Sequence, residues 1–127
     1  MTSKKRIFLD ASAWLSFLEG KSSAAKVTTL LEREDCFTSL INYYEVLLWY
    51  QHRKPELMSD VSKQVSSHTT LVSIDEPTVF DALRWKRSNP DFSMADALSY
   101  ASAIRMGALF VTSDPDFEKV GGVIFLR

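Results

Sequence analysis

Short apolar runs alternate along the chain with longer stretches in which apolar residues recur every three or four positions. "RIFLD", Arg6 to Asp10, is an apolar run closed by an acid and predicts a buried strand. "SAWLSFLEG" then predicts a helix with Trp14, Leu15 and Leu18 on one side and Gly20 as its stop. "SSAAKVTTLLERE" offers a serine cap followed by Ala25, Val27, Leu30 and Leu31 at helical spacing. A short strand is expected around Cys36 to Thr38. From Ser39, "SLINYYEVLLWYQHRK" predicts a long apolar helix that closes in basic residues before Pro55, and "PELMSDVSKQVSSH" a more polar one. "TLVSI" reads as a strand, and Asp75 with Glu76-Pro77 starts a helix over "EPTVFDALRWKRS". A last helix runs from Ser93 to near Gly107, before the strands "ALFVT" and "VIFLR".

This alternation of strands with helices predicts an α/β fold: a three-layer α/β/α sandwich whose mainly parallel sheet has about five strands. In such sheets ligands bind outside the carboxyl ends of the strands, where the strand order reverses.

The chain has 127 residues, 46% of them hydrophobic and 24% charged, which suits one domain spanning residues 1–127. No repeat, charge block or Ser/Gly/Pro tract marks a linker. No apolar run approaches the ~18 residues of a membrane span, the basic start is not followed by a secretory apolar region, and the lone Cys36 makes no internal disulfide. The expected setting is the cytoplasm, with no membrane partner. A net charge of −1 argues against coating nucleic acid by bulk electrostatics, though not against a local basic strip.

The acids change the picture. Asp10 ends the first strand and Asp114 follows "ALFVT", so both are expected at the same edge of the sheet. Taken singly, an Asp after a strand is most often a helix cap or turn former, and each reads so. Asp96 follows Ser93 by three residues, the spacing of a capping box at a helix start, a role compatible with facing the crevice. Glu45 lies among Ile41, Tyr44, Val46 and Leu48 with no Lys or Arg within four residues, so it is either taken up by a distant Arg or functional. Four acids meeting in one crevice would raise one another's pKa unless a cation neutralised them. All-oxygen ligands suit Mg²⁺ or Mn²⁺. His52 and His68 lack zinc-type spacing. A metal so held can activate water and stabilise a phosphoryl transition state, and phosphodiester hydrolysis is the reaction that most needs both.

The order of "FLDASAW", "NYYEVLLW", "SMADALSYASA" and "VTSDPDF" resembles the PIN-domain ribonucleases, and within them the small VapC-type toxins of prokaryotic toxin–antitoxin pairs. The resemblance covers essentially the whole chain. It implies Asp10, Glu45, Asp96 and Asp114 as metal-binding and catalytic acids, with Ser12 and Thr112 as supporting polar residues. Asp116, two residues after Asp114, is a further supporting candidate that touches the metal, supports Asp114 or simply starts a turn after Pro115, the turn being the preferred reading. The resemblance further implies Mg²⁺ or Mn²⁺ as cofactor, endonucleolytic cleavage of RNA, a homodimer and a cognate antitoxin.

Two other enzyme readings place an Asp after the first strand. A dehalogenase-like phosphatase needs an acid at the position of Ser12, and a receiver domain needs an acidic pair and a late lysine that are missing. A third alternative keeps the fold as a catalytically inactive RNA-binding or interaction module, which would have no use for an acid in the apolar stripe around Glu45. Arg84, Lys86 and Arg87 are candidates for the RNA path, beside the plainer reading of a solvated helix end.

Overall fold

The computed structural model describes residues 3–127. Strands β1 (Arg6–Leu9), β2 (Asp35–Ser39), β3 (Thr70–Val72), β4 (Leu109–Thr112) and β5 (Val123–Phe125) form one sheet in the order β3-β2-β1-β4-β5. Every pairing in it is parallel, including Phe8 with Phe37 and Phe110, so "mainly parallel" becomes wholly parallel. The helices are α1 (Ala11–Leu18), α2 (Ala24–Arg33), α3 (Leu40–Arg53), α4 (Met58–His68), α5 (Glu76–Ser88) and α6 (Met94–Arg105).

Alternation along β1 divides the core into two layers, because successive side chains of a strand point to opposite faces. Ile7 and Leu9 pack with Val27, Val46, Tyr50, Val61 and Val65 from α2, α3 and α4, and with the buried Trp14 of α1. Phe8 points the other way, toward Phe110, Ala103 and Phe117, with Trp85, Phe92 and Tyr100 closing an aromatic cluster. Both faces are covered, as a parallel sheet requires.

Most expected elements fall where the pattern puts them, with local differences at their ends. Pro55–Leu57 forms a 3₁₀ turn ahead of α4, which is where a proline without an N–H is tolerated. Ser23 occupies the cap position of α2, but its hydroxyl makes no capping hydrogen bond, contrary to the serine cap read from the sequence. The cause is backbone: Ser23 has φ −86° and ψ 0° rather than the extended conformation that turns a cap side chain back onto the helix. Gly107, with φ +69°, turns α6 into β4 in a conformation that favours glycine.

The order of strands reverses between β1 and β4. The chain proceeds outward from β1 to β2 and β3, then returns to add β4 and β5 on the other side. The carboxyl ends of these two central neighbours therefore frame the crevice.

Candidate active site

Asp10 leaves β1 and caps α1. Its Oδ1 accepts from the Ala13 N–H (2.9 Å) and the Ser12 hydroxyl (2.6 Å), and its Oδ2 accepts from the Thr112 hydroxyl (2.5 Å). The same two hydroxyls hold the loop after β4: Ser12 Oγ accepts from the Ser113 N–H at 2.9 Å, and Thr112 Oγ1 from the Asp114 N–H at 3.0 Å. Residues from the two ends of the chain are thereby locked together, and Asp10, at 6% exposure, cannot swing away.

Asp96 makes both halves of a capping box with Ser93 at the start of α6. Its capping role and its place in the crevice coexist. Glu45 is half-buried on α3, and the neighbour it meets is the Asn42 amide, 3.5 Å from Oε1, rather than an Arg. Asp10, Glu45, Asp96 and Asp114 line one cavity of about 180 Å³ together with Ala11, Ser12 and Asn42. Depressions of about 420 Å³ beside Lys4 and Arg33 and about 350 Å³ between Phe17 and Gln64 are larger, but neither gathers more than two carboxylates. Convergence of like chemistry, not size, distinguishes the acid cavity.

Burial pushes the Asp10 carboxyl up to about 6, against the lowering effect of its three hydrogen bonds and with a further push from the charge of Asp96. Glu45 is raised to about 7, first by burial and then by the charges of Asp96 and Asp10. None of the ion pairs among the described residues involves these four acids. The cavity thus concentrates negative charge that no ion pair among the described residues neutralises.

This donor set fits a hard divalent cation: oxygens throughout, two of them on carboxyls destabilised as anions by burial and mutual repulsion. Among the described residues, no three His, Cys, Asp or Glu side chains enclose an ion by themselves.

Asp116 is exposed; its N–H donates to Asp114 Oδ1, opening the 3₁₀ turn Pro115–Phe117, and its side chain is outside the cavity lining. Nor do Arg84, Lys86 and Arg87 line it. Arg84 pairs with Asp81, and Lys86 donates to the carbonyls of Pro90 (3.0 Å) and Phe92 (2.6 Å). Arg87 is exposed and makes no hydrogen bond or ion pair among the described residues. The sequence reading overlooked Asn42. The signal was there in its spacing, three residues before Glu45 on one face of α3 and three after Ser39, its cap.

An all-parallel sheet with acids gathered at its central switch point defines an α/β protein with its candidate site at the carboxyl edge of the sheet, and the family model for the PIN domain matches residues 7–123. The chain belongs to the PIN domain family. No curated protein matches it by sequence. Among solved structures it is similar to a toxin–antitoxin complex from Klebsiella pneumoniae, with 17% identity, a TM-score of 0.77, and 93% of this chain and 95% of that chain covered. It is also similar to VapC20 of Mycobacterium tuberculosis, described as a sarcin–ricin loop cleaving toxin (19% identity, TM-score 0.73, 95% of this chain and 98% of that one). A protein from Pyrobaculum aerophilum shares 23% identity at a TM-score of 0.70, over 96% of this chain and 89% of that one. At these identities the likeness is one of fold.

Proposed function

We propose that this protein is an endoribonuclease that hydrolyses RNA phosphodiester bonds with Mg²⁺ or Mn²⁺ held by Asp10, Glu45, Asp96 and Asp114. The observation that carries this reading is the convergence of four carboxylates on one cavity, none of them in an ion pair among the described residues. The metal would supply water activation and neutralisation of charge growing on the phosphate. The chain's own part is positioning. Ser12, Thr112 and the Ala13 N–H fix Asp10 in one orientation, and Thr112 also anchors the loop that presents Asp114. Asp10 and Glu45 give up their protons as the site is loaded, so occupancy rises with pH.

Cleavage of a mixed pool of single-stranded and hairpin RNA is expected with Mn²⁺ or Mg²⁺ and lost with chelator. A folded protein that neither cleaves the pool nor binds Mn²⁺ would move the reading to the inactive interaction module. The fold shared with toxins, together with the family, supports a toxin acting in the cytoplasm and restrained by a cognate antitoxin. Its expression alone would then arrest growth; unaffected growth counts against it. Of the three α5 residues offered as an RNA path, Arg87 is the one without a side-chain partner among the described residues, so the salt dependence of RNA affinity should fall in Arg87→Ala. An unchanged salt slope removes α5 from that path.

A homodimer is the state that best accounts for the outer face of α3. Leu40, Tyr44 and Leu48 recur every four residues there and are 50%, 64% and 36% exposed, an apolar stripe in reach of solvent. Among the described residues no helix is long and apolar enough to cross a membrane, so that stripe does not belong to a helical span. Light scattering at micromolar concentration should give twice 14.4 kDa. A monomer mass would dismiss the dimer.

A further inference from the structure

The cavity contains one side chain of a different chemical kind. Asp10, Glu45, Asp96 and Asp114 are acceptors when ionised, and the Ser12 hydroxyl hydrogen is spent on Asp10. Asn42 is the lining residue that carries a side-chain N–H, and it is 2% exposed. Ser39 fixes which way its amide faces. Ser39 Oγ accepts from the Asn42 backbone N–H at 3.2 Å, leaving its own hydrogen for Asn42 Oδ1 at 2.7 Å. Nδ2 is then the end turned toward Glu45. It has two N–H groups, and the acceptor it meets among the described residues is Glu45 Oε1 at 3.5 Å, the long limit of a hydrogen bond. Amides buried this deeply ordinarily use their donors.

We infer that Asn42 Nδ2 donates a hydrogen bond to a non-bridging oxygen of the RNA phosphodiester seated in this cavity, an inference that rests on the nuclease reading above. Four carboxylates repel an anionic phosphate, and a cation attracts it without fixing its rotation. A donor held in place by Ser39 supplies direction and needs no reorganisation as charge grows on the phosphate oxygens. Its neutrality matters as well. A Lys or Arg here would pair with Glu45 and Asp10 and occupy the cation's place, whereas an amide donates without neutralising the acids.

The test compares wild type, Asn42→Ala and Asn42→Asp as whole chains, measuring kcat and KM for RNA cleavage in saturating Mn²⁺, Mn²⁺ affinity by calorimetry, and affinity for a 2′-O-methyl RNA in Ca²⁺. Loss of a donor that holds the seated phosphate and strengthens toward the transition state should lower kcat of Asn42→Ala about 10²-fold, weaken 2′-O-methyl RNA binding in Ca²⁺ several-fold, and leave Mn²⁺ affinity within about threefold of wild type. Asn42→Asp keeps the volume and an acceptor for Ser39 while removing the donor, so it should be at least as slow; it decides the question if Asn42→Ala does not fold. A rate within about threefold of wild type overturns the inference. So does a fall in rate matched by the fall in Mn²⁺ affinity, which would make Asn42 a prop for Glu45 alone. A wild type that binds Mn²⁺ yet cleaves no RNA refutes the nuclease reading separately, and RNA affinity in Ca²⁺ then decides: no loss in Asn42→Ala overturns the contact.

Discussion

Asp96→Asn is expected to reduce RNA cleavage by about 10³-fold or more, the scale seen when one member of a cooperating catalytic set is removed, while the protein stays folded. The substitution separates the two roles of this residue. An Asn carbonyl can still accept from the Ser93 N–H, and Ser93 Oγ still accepts from the backbone N–H of residue 96, so the start of α6 keeps its cap. What disappears is a negative charge that bears on both Asp10 and Glu45. Stabilisation by Mn²⁺ should therefore shrink together with activity. Saturating a site at a hundred times its dissociation constant contributes about 2.7 kcal/mol, a readily measured shift in thermal midpoint. Cleavage and Mn²⁺ stabilisation that both survive the substitution would reduce Asp96 to a helix cap.

Acidification from pH 8 to about pH 5 is expected to stabilise the metal-free protein, the reverse of the usual behaviour of a carboxylate-rich chain. Asp10 rises from 3.8 to about 6 and Glu45 from 4.5 to about 7 on folding, so the folded state binds more protons than the unfolded chain between those values. Their contribution is fully present below about pH 4 and is lost as pH rises through 6 and 7. Asp10, being buried, contributes about 3 kcal/mol over its whole shift, of which about half falls between pH 5 and pH 8; Glu45, half in solvent, contributes less than its shift implies after screening. Glu19, Asp75 and Asp81 are lowered by their partners and act in the opposite sense, but their stabilisation is lost only as pH falls below the ordinary carboxylate range. Thermal unfolding in chelator should show a midpoint several degrees higher at pH 5 than at pH 8, and Mn²⁺ should erase much of that difference by stabilising the ionised acids. A midpoint that rises steadily toward pH 8 in chelator would mean that these acids are not destabilised by the fold.

The elements were legible because their signals are local. Period-two and period-three-to-four patterns marked strands and helices, and Asp75 before Glu76-Pro77 marked the start of α5, where its carboxylate indeed accepts from the Thr78 N–H. Residues that line the candidate cavity were legible by type and spacing: Ser-x-x-Asp at α6, and an uncompensated acid in an apolar helix at Glu45. Where the sequence misled, as with the Ser23 cap, the deciding quantity was a backbone angle that neighbouring packing sets. The basic residues of α5 illustrate the same limit. Lys86 looks like a free cation in the sequence, yet the loop after α5 folds back so that its ammonium is taken by two carbonyls.

The kinds of element, their order and the chemistry available at their ends follow from local sequence, because propensity, capping and amphipathicity act over a few residues. Tertiary structure alone decided that β4 returns to lie beside β1, which puts Thr112 2.5 Å from Asp10 across a separation of 102 residues. It also decided that α3 and α6 bring Glu45 and Asp96 to the same crevice, and that Ser39 turns the Asn42 amide inward. Strand pairing and two-sided burial of a parallel sheet are non-local, so the meeting of these charges is a property of the packed fold and of no single segment.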